Sequence, residues 1–347
     1  MSDLKQFEEY RKTMKFIKIR NRVILSVLAA AMTALWIFGG LGMSAEERSL
    51  WKSVRMAQNL LWENELRSGR GDTVTDPNKT GLIGVEWSVL STTLGSLPAK
   101  RSASDPRFAI LTYRWLGKLD IKRGDKVLLL SSSSFPGMIL NVVKALEARG
   151  ANVTMVLSLG SSTYGANVPG SMWPDKARIL REKGLLHTKP SYFTYGGDWE
   201  TGGGISEEGI KIMKEIAKSE KVPIIVGKSL EDMINWKMSL IKKEEPKVVI
   251  NIGGSHANMG NSEDILRLPP GLIISGKGGD GVIGRTLSLG IPVIHMLNIK
   301  SLAAAEGIPF DGSQNMLFKG GRSVVLALCA AALFICSALL FRRWHII

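Results

Sequence analysis

Four consecutive serines, Ser131 to Ser134, followed by Phe135 and Pro136, close an apolar run that begins at Lys126. A serine hydroxyl at the end of a strand becomes a nucleophile when a base reaches it and an acid orients that base. Bases are scarce, because the only histidines are His187, His256, His295 and His345. His256 follows Gly253, Gly254 and Ser255 in a glycine-rich stretch, and His295 ends an apolar run. Ser133 or Ser134, with either of these histidines and with Asp198 or Asp280, would supply nucleophile, base and orienting acid. The leading set is Ser134, His295 and Asp198. No GxSxG elbow is present, and a serine-rich loop serves equally well as a hydrogen-bonding cradle, so both readings stay open.

Gly276 to Gly284, GKGGDGVIG, has the glycine spacing of a dinucleotide fingerprint, and Gly271 to Gly278 falls one residue short of a phosphate loop. Each motif lacks a chemical part. No acid ends the following strand to hold a ribose, and Gly278 stands where a magnesium-binding Ser or Thr belongs. What remains is a cluster of backbone amides with Lys277 and Arg285 close by, a setting that attracts an anion such as a carboxylate. No histidine or carboxylate pair has metal-ligand spacing. The two cysteines, Cys329 and Cys336, share one C-terminal apolar run, and seven helical positions separate them by roughly 10 Å, too far for a disulfide. Neither a metal nor a cofactor is expected.

The elements that must hold these residues alternate. Lys126 to Pro136 reads as a strand buried on both faces, Gly137 to Ala151 as a helix, and Asn152 to Leu159 as a second strand, a βαβ unit. Strands are also expected near 222–226, 247–252, 272–275 and 291–297. Helices are expected at 173–183, 206–219, 230–243 and 281–289, with a short one at 86–95. This pattern predicts a Rossmann-like, doubly wound, mostly parallel α/β sheet. Ligands of such sheets bind beyond the carboxyl ends of the strands. The loops after those ends, Ser131–Phe135, Gly160–Met172 and Gly253–Gly260, are rich in glycine and serine, and Tyr195–Gly204 is another long glycine loop.

The termini read differently. Residues 1–22 form a basic tail of charge +4, and 23–45 is free of charge and long enough to cross a bilayer. A helical membrane-proximal region is expected over 46–120, the α/β domain over 121–320, a second crossing over 323–341 and a short tail over 342–347. Positive flanks stay in the cytoplasm, so both termini should lie there and the main domain outside the inner membrane. A cleaved signal peptide is the competing reading of the N-terminal run. The formal charge is +14, of which +8 falls between Val23 and Phe341. That excess favours an anionic partner: an acidic polymer, nucleic acid or lipid head groups.

The stretches SSSSFP, SSTYGANVPGSMW, GGDWETGGGISEEG, NIGGSHANMG, LPPGL and GIPVIHMLNIKSLAAAEGIP occur in that order, after TTLGSLPAKRSASDPRFA. In these the chain resembles the poly-γ-glutamate system protein family over about Thr92 to Asp311. The resemblance implies a bacterial membrane-attached accessory of capsule-type poly-γ-glutamate synthesis or export, acting beside the membrane subunits of the synthase. It implies no assigned catalytic mechanism. Ser134, Phe135, Tyr164, Asn167, Asp198, Gly253, Gly254, Asn258, His295 and Asn298 are the matched positions and candidates for a shared pocket, with Ser133 and His256 beside them. The polymer carries one carboxylate per unit, and Lys100, Arg101, Lys277 and Arg285 are the cations expected to bind it, with the bilayer as a second partner and no nucleic acid. The alternative is a serine-dependent hydrolase or transferase acting on γ-glutamyl amide bonds.

Overall fold

A computed structural model describes residues 2–38, 43–314 and 324–343. Two compact units result, residues 45–316 and a smaller one formed by the two terminal segments. The smaller unit holds helix α1 (Ser2–Phe38) and helix α12 (Val324–Arg343), which touch each other. The basic tail 1–22 is therefore largely helical. Among the described residues, no helix is long and apolar enough to cross a membrane. The two expected crossings, 23–45 and 323–341, each extend past the described residues, at 39–42 and at 323.

The larger unit is built on β1 (Lys126–Ser132), whose middle five residues are all buried. No polar residue interrupts the run from Val127 to Leu130, so both faces must be covered, and an inner position in a parallel sheet meets that demand. Strand β2 (Asn152–Ser158) lies on one side of β1 and β5 (Val248–Ile252) on the other, both parallel to it. Beyond β2 come β3 (Tyr192–Thr194) and β4 (Ile224–Ile225); beyond β5 come β7 (Val293–Met296) and β6 (Gly271–Ile273). The order is therefore β4-β3-β2-β1-β5-β7-β6. Every pairing is parallel except β6 with β7. The chain reverses its direction of strand addition between β1 and β5, and there the loops leaving the two strands diverge and open a crevice.

Helices α5 (Pro136–Arg149), α6 (Trp173–Glu182), α7 (Glu207–Glu220), α8 (Leu230–Glu244) and α10 (Val282–Ser288) are the crossovers. Helix α2 (Ala45–Arg67) buries Leu50, Val54, Ala57 and Leu61 and packs with α4 (Arg107–Lys118), α5 and α6. Short helices α3 (Leu97–Ala103), α9 (His256–Met259) and α11 (Ile299–Ala305) stand beside the loops at the carboxyl edge.

Two local expectations fail for identifiable reasons. Residues 86–95 form no helix. Thr92 N–H donates to Ser161 O at 2.8 Å and Ser161 N–H to Leu90 O at 3.2 Å, so this segment lies along the exit of β2 as an added extended strip. Strand β3, absent from the sequence reading, is held by parallel pairing with β2 through residues whose own pattern is too short to stand out.

Candidate functional site

The extended strip leads to Ser96, whose side chain caps α3, and Pro98 starts the helix. Adjacent residues of α3 then point apart. Arg101 turns outward, donating to Thr75 O at 2.8 Å and Val74 O at 2.7 Å, and ties down a surface loop. Lys100 turns inward, only 3% exposed. Its Nζ donates to Ser134 O at 2.5 Å and Ser162 Oγ at 2.6 Å, and lies 3.8 Å from the centre of the Phe135 ring. Burial pushes the Lys100 ammonium down to about 7.

Lys100 forms part of the wall of a cavity of about 600 Å³ at the carboxyl edge of the sheet. Ser132, Ser134 and Phe135 line it from β1, Ser158, Gly160 and Ser162 from β2, and Gly254, Ser255 and His256 from β5. Gly196, Gly197, Asp198 and Glu200 line it after β3, with Asn298 and Lys300 after β7. This is the crevice that the strand order creates between β1 and β5.

The floor is a buried polar network. Glu200 accepts from Lys237 Nζ at 2.7 and 2.6 Å, from Thr194 Oγ1 at 2.8 Å and from Ser255 Oγ. Burial alone would push this carboxyl up; the Lys237 charge and the hydrogen bonds from Lys237, Ser255 and Thr194 outweigh it and hold the group below the usual carboxylate range. Lys237 also donates to Asn258 Oδ1 at 2.7 Å, and Asn258 Nδ2 donates to Asn251 Oδ1 at 2.7 Å. The loop carrying Glu200 is bent by left-handed residues, including Trp199 at φ 54° and Glu200 at φ 64°, conformations that cost non-glycine residues energy and persist only where the surroundings enforce them. The ion pair supplies that enforcement. Trp199 N–H in turn donates to His256 Nδ1 at 2.9 Å.

Of the residues singled out in the sequence, Lys100, Ser134, Phe135, Asp198, Gly254, His256 and Asn298 meet at this cavity. The others lie elsewhere. Ser133 is fully buried, its Oγ donating to Ser158 O at 2.7 Å. Gly253, at φ 88°, turns the chain behind the wall. Asn258 belongs to the buried network. Asn167 is buried and clamps the extended strip, donating to Val85 O at 2.8 Å and Ser91 Oγ at 3.0 Å. Tyr164 borders a separate, smaller cavity with Glu65, Arg70 and Lys176.

The set Ser134, His295 and Asp198 is not joined by hydrogen bonds. Ser134 Oγ accepts from Ser132 Oγ and from Ser162 N–H, both at 2.9 Å. His295 is register partner of Asn251 in the neighbouring parallel strand, so the two side chains share one face of the sheet, and Asn251 Nδ2 meets His295 Nδ1 at 3.1 Å. Burial pushes the imidazole down to about 4, which keeps it neutral near pH 7. Lys277 and Arg285 do not line the cavity either. Strand β6 is antiparallel, Ile273 pairing with Val293 at the start of β7, so the chain leaves β6 at the opposite sheet edge. Arg285 is then taken up by Glu231, with both contacts at 3.0 Å, and by Asp280 O.

Sequence reasoning passed over Ser162, Glu200, Ser255 and Lys237. Lys237 did leave a trace, since it falls on the apolar stripe of Met233, Ile234, Met238 and Ile241, where a lysine must find a buried partner. Compared with known proteins, the chain matches no family model, no curated protein and no solved structure.

Proposed function

We propose that this protein is a membrane-anchored accessory of poly-γ-glutamate synthesis or export, and that its cavity binds a carboxylate-bearing segment of the polymer or its precursor. The observation that carries the reading is the state of Lys100. Three lysines are buried among the described residues of the larger unit: Lys176 pairs with Glu65 at 2.8 Å and Lys237 with Glu200 at 2.6 Å. Among the described residues, Lys100 faces the cavity with only a carbonyl and a hydroxyl as oxygen partners. A buried ammonium without a counter-ion is costly, and a ligand carboxylate would offset that cost. Lys300 adds a second cation to the wall, and Lys237 already neutralises Glu200.

A cavity of this volume suits a short chain segment. The polymer itself is suggested by the resemblance of the cavity-forming loops to the poly-γ-glutamate system family. Anchoring is suggested by the charge-free runs 23–45 and 323–341. In this reading both ends are cytoplasmic, the larger unit is extracytoplasmic, and the partners are the membrane subunits of the synthase.

The test is binding of poly-γ-glutamate to the full-length chain in detergent micelles over a salt series. Affinity is expected to fall steeply with salt and to fall at least about ten-fold in Lys100→Met, the loss of one charge-assisted contact. No binding, or an affinity indifferent to salt, overturns the proposal.

A further inference from the structure

We propose that Lys100 and Ser162 form a base and nucleophile pair that cleaves or transfers an amide or ester bond of a carboxylate-bearing ligand seated in the cavity. The inference rests on the cavity being a ligand site and adds chemistry to it: the charged form of Lys100 holds a carboxylate, whereas its neutral form is the base, with the carboxylate of the reacting ligand held by Lys300 instead. Lys100 Nζ and Ser162 Oγ are 2.6 Å apart, inside hydrogen-bond reach of proton transfer, and both residues line the cavity. The Lys100 Nζ is held away from water and, among the described residues, lacks the carboxylate that each of the other two buried lysines has. Burial without a counter-ion favours the neutral amine, the form able to act as a base, against the pull of the Phe135 ring 3.8 Å away on the charge. Burial accordingly brings Lys100 down to about 7.

The step balances within the pair and the ligand. Neutral Lys100 Nζ takes the Ser162 hydroxyl proton as Oγ bonds to the ligand carbonyl carbon, and the carbonyl π electrons move to its oxygen. When that pair returns, the bond from carbon to nitrogen breaks and Lys100 gives its proton to the departing amine. The acyl group is left on Ser162, to be removed by water or by the amine of another chain. Ser134 is a positioning residue: its Oγ accepts from Ser162 N–H and Ser132 Oγ, which leaves its own hydroxyl hydrogen to donate toward the cavity it lines. This arrangement replaces the histidine of the triad reading with a lysine that lies fewer than forty residues before the serine loop.

A fluorophosphonate probe tests the pair directly, because an activated serine displaces its fluoride. The full-length chain in detergent micelles is expected to be labelled at Ser162, located by peptide mass spectrometry, with a rate that rises with pH through about 7. Ser162→Ala should abolish labelling at that peptide. Lys100→Arg keeps the positive charge and cannot act as a base, so it should slow labelling about a hundred-fold, the scale of a lost general base. No labelling, labelling at another residue, a flat pH profile, or an undiminished rate in Lys100→Arg overturns the inference. Polymer binding by the same wild-type preparation separates the two claims: binding without labelling removes only the chemistry, whereas labelling without binding removes only the choice of polymer.

Discussion

Lys237 Nζ lies 2.6 Å from Glu200 Oε2, with the lysine on the middle of a crossover helix and the glutamate on a left-handed turn of the glycine loop that walls the cavity. The pair joins helix α8 to a loop that is otherwise closed by its own backbone bonds, such as Asp198 N–H to Gly203 O at 2.9 Å. Removing either partner strands a charge in a place where the side chains are 2% and 1% exposed. Lys237→Met or Glu200→Gln should each destabilise the protein by about 3 to 5 kcal/mol in denaturant unfolding. The double substitution should recover much of that loss, since it leaves no unpaired charge. Strictly additive single effects would show that the two groups are not coupled.

Acid should weaken the fold through His295. The folded protein keeps this imidazole neutral down to about pH 4, whereas an exposed one takes up its proton near 6.5. Between these values unfolding binds a proton, so the contribution is fully present above about 6.5 and is lost as pH falls toward 4, on the order of 3 kcal/mol in total. His295→Gln should flatten that stretch of the stability profile. An unchanged profile would place the sensitivity in other groups.

Lys100→Met should separate stability from binding. The ammonium binds its proton less tightly folded than unfolded, so wild-type stability declines as pH falls from 10.5 toward about 7. The methionine variant lacks this decline and should unfold at a higher temperature than wild type at pH 7, while losing polymer affinity. A lower melting temperature would mean that the bonds to Ser134 O and Ser162 Oγ outweigh the cost of burying the charge.

Asn167→Ala should act on the cavity from a distance. Asn167 accepts from Val85 N–H at 3.1 Å as well as donating to Val85 O and Ser91 Oγ, and these bonds hold the extended strip that delivers α3. Losing them should cost about 2 to 3 kcal/mol. Hydrogen exchange should show faster opening of residues 84–96 than of β1; uniform exchange across both would show that the clamp is not local.

The order of elements could be read from the chain because each signal is local. Val127 to Leu130 admits only a strand covered on both faces, Gly150 supplies the left-handed stop of α5 at φ 67°, and Ser206 and Ser229 cap α7 and α8. The side-by-side position of the serine and glycine loops also follows, since successive parallel strands deliver their exits to one edge. The antiparallel turn of β6 was not legible, because a three-residue strand carries no direction in its composition, and neither was the capture of Arg285 by Glu231 of α8, which keeps it from the cavity.

By itself, then, the amino-acid sequence determined the α/β alternation, the buried central strand and the edge at which polar loops collect, all of which depend on residue type over a few neighbouring positions. Tertiary structure alone decided what each polar side chain meets. Strand register paired His295 with Asn251 instead of Ser134, one turn of α3 sent Lys100 inward and Arg101 outward, and the left-handed bend at Glu200 brought it onto Lys237, 37 residues away. Burial and hydrogen-bond partners are set by contacts between distant segments, so a lysine expected from sequence to offer its charge to an acidic polymer is, in the folded protein, a buried amine against a serine hydroxyl.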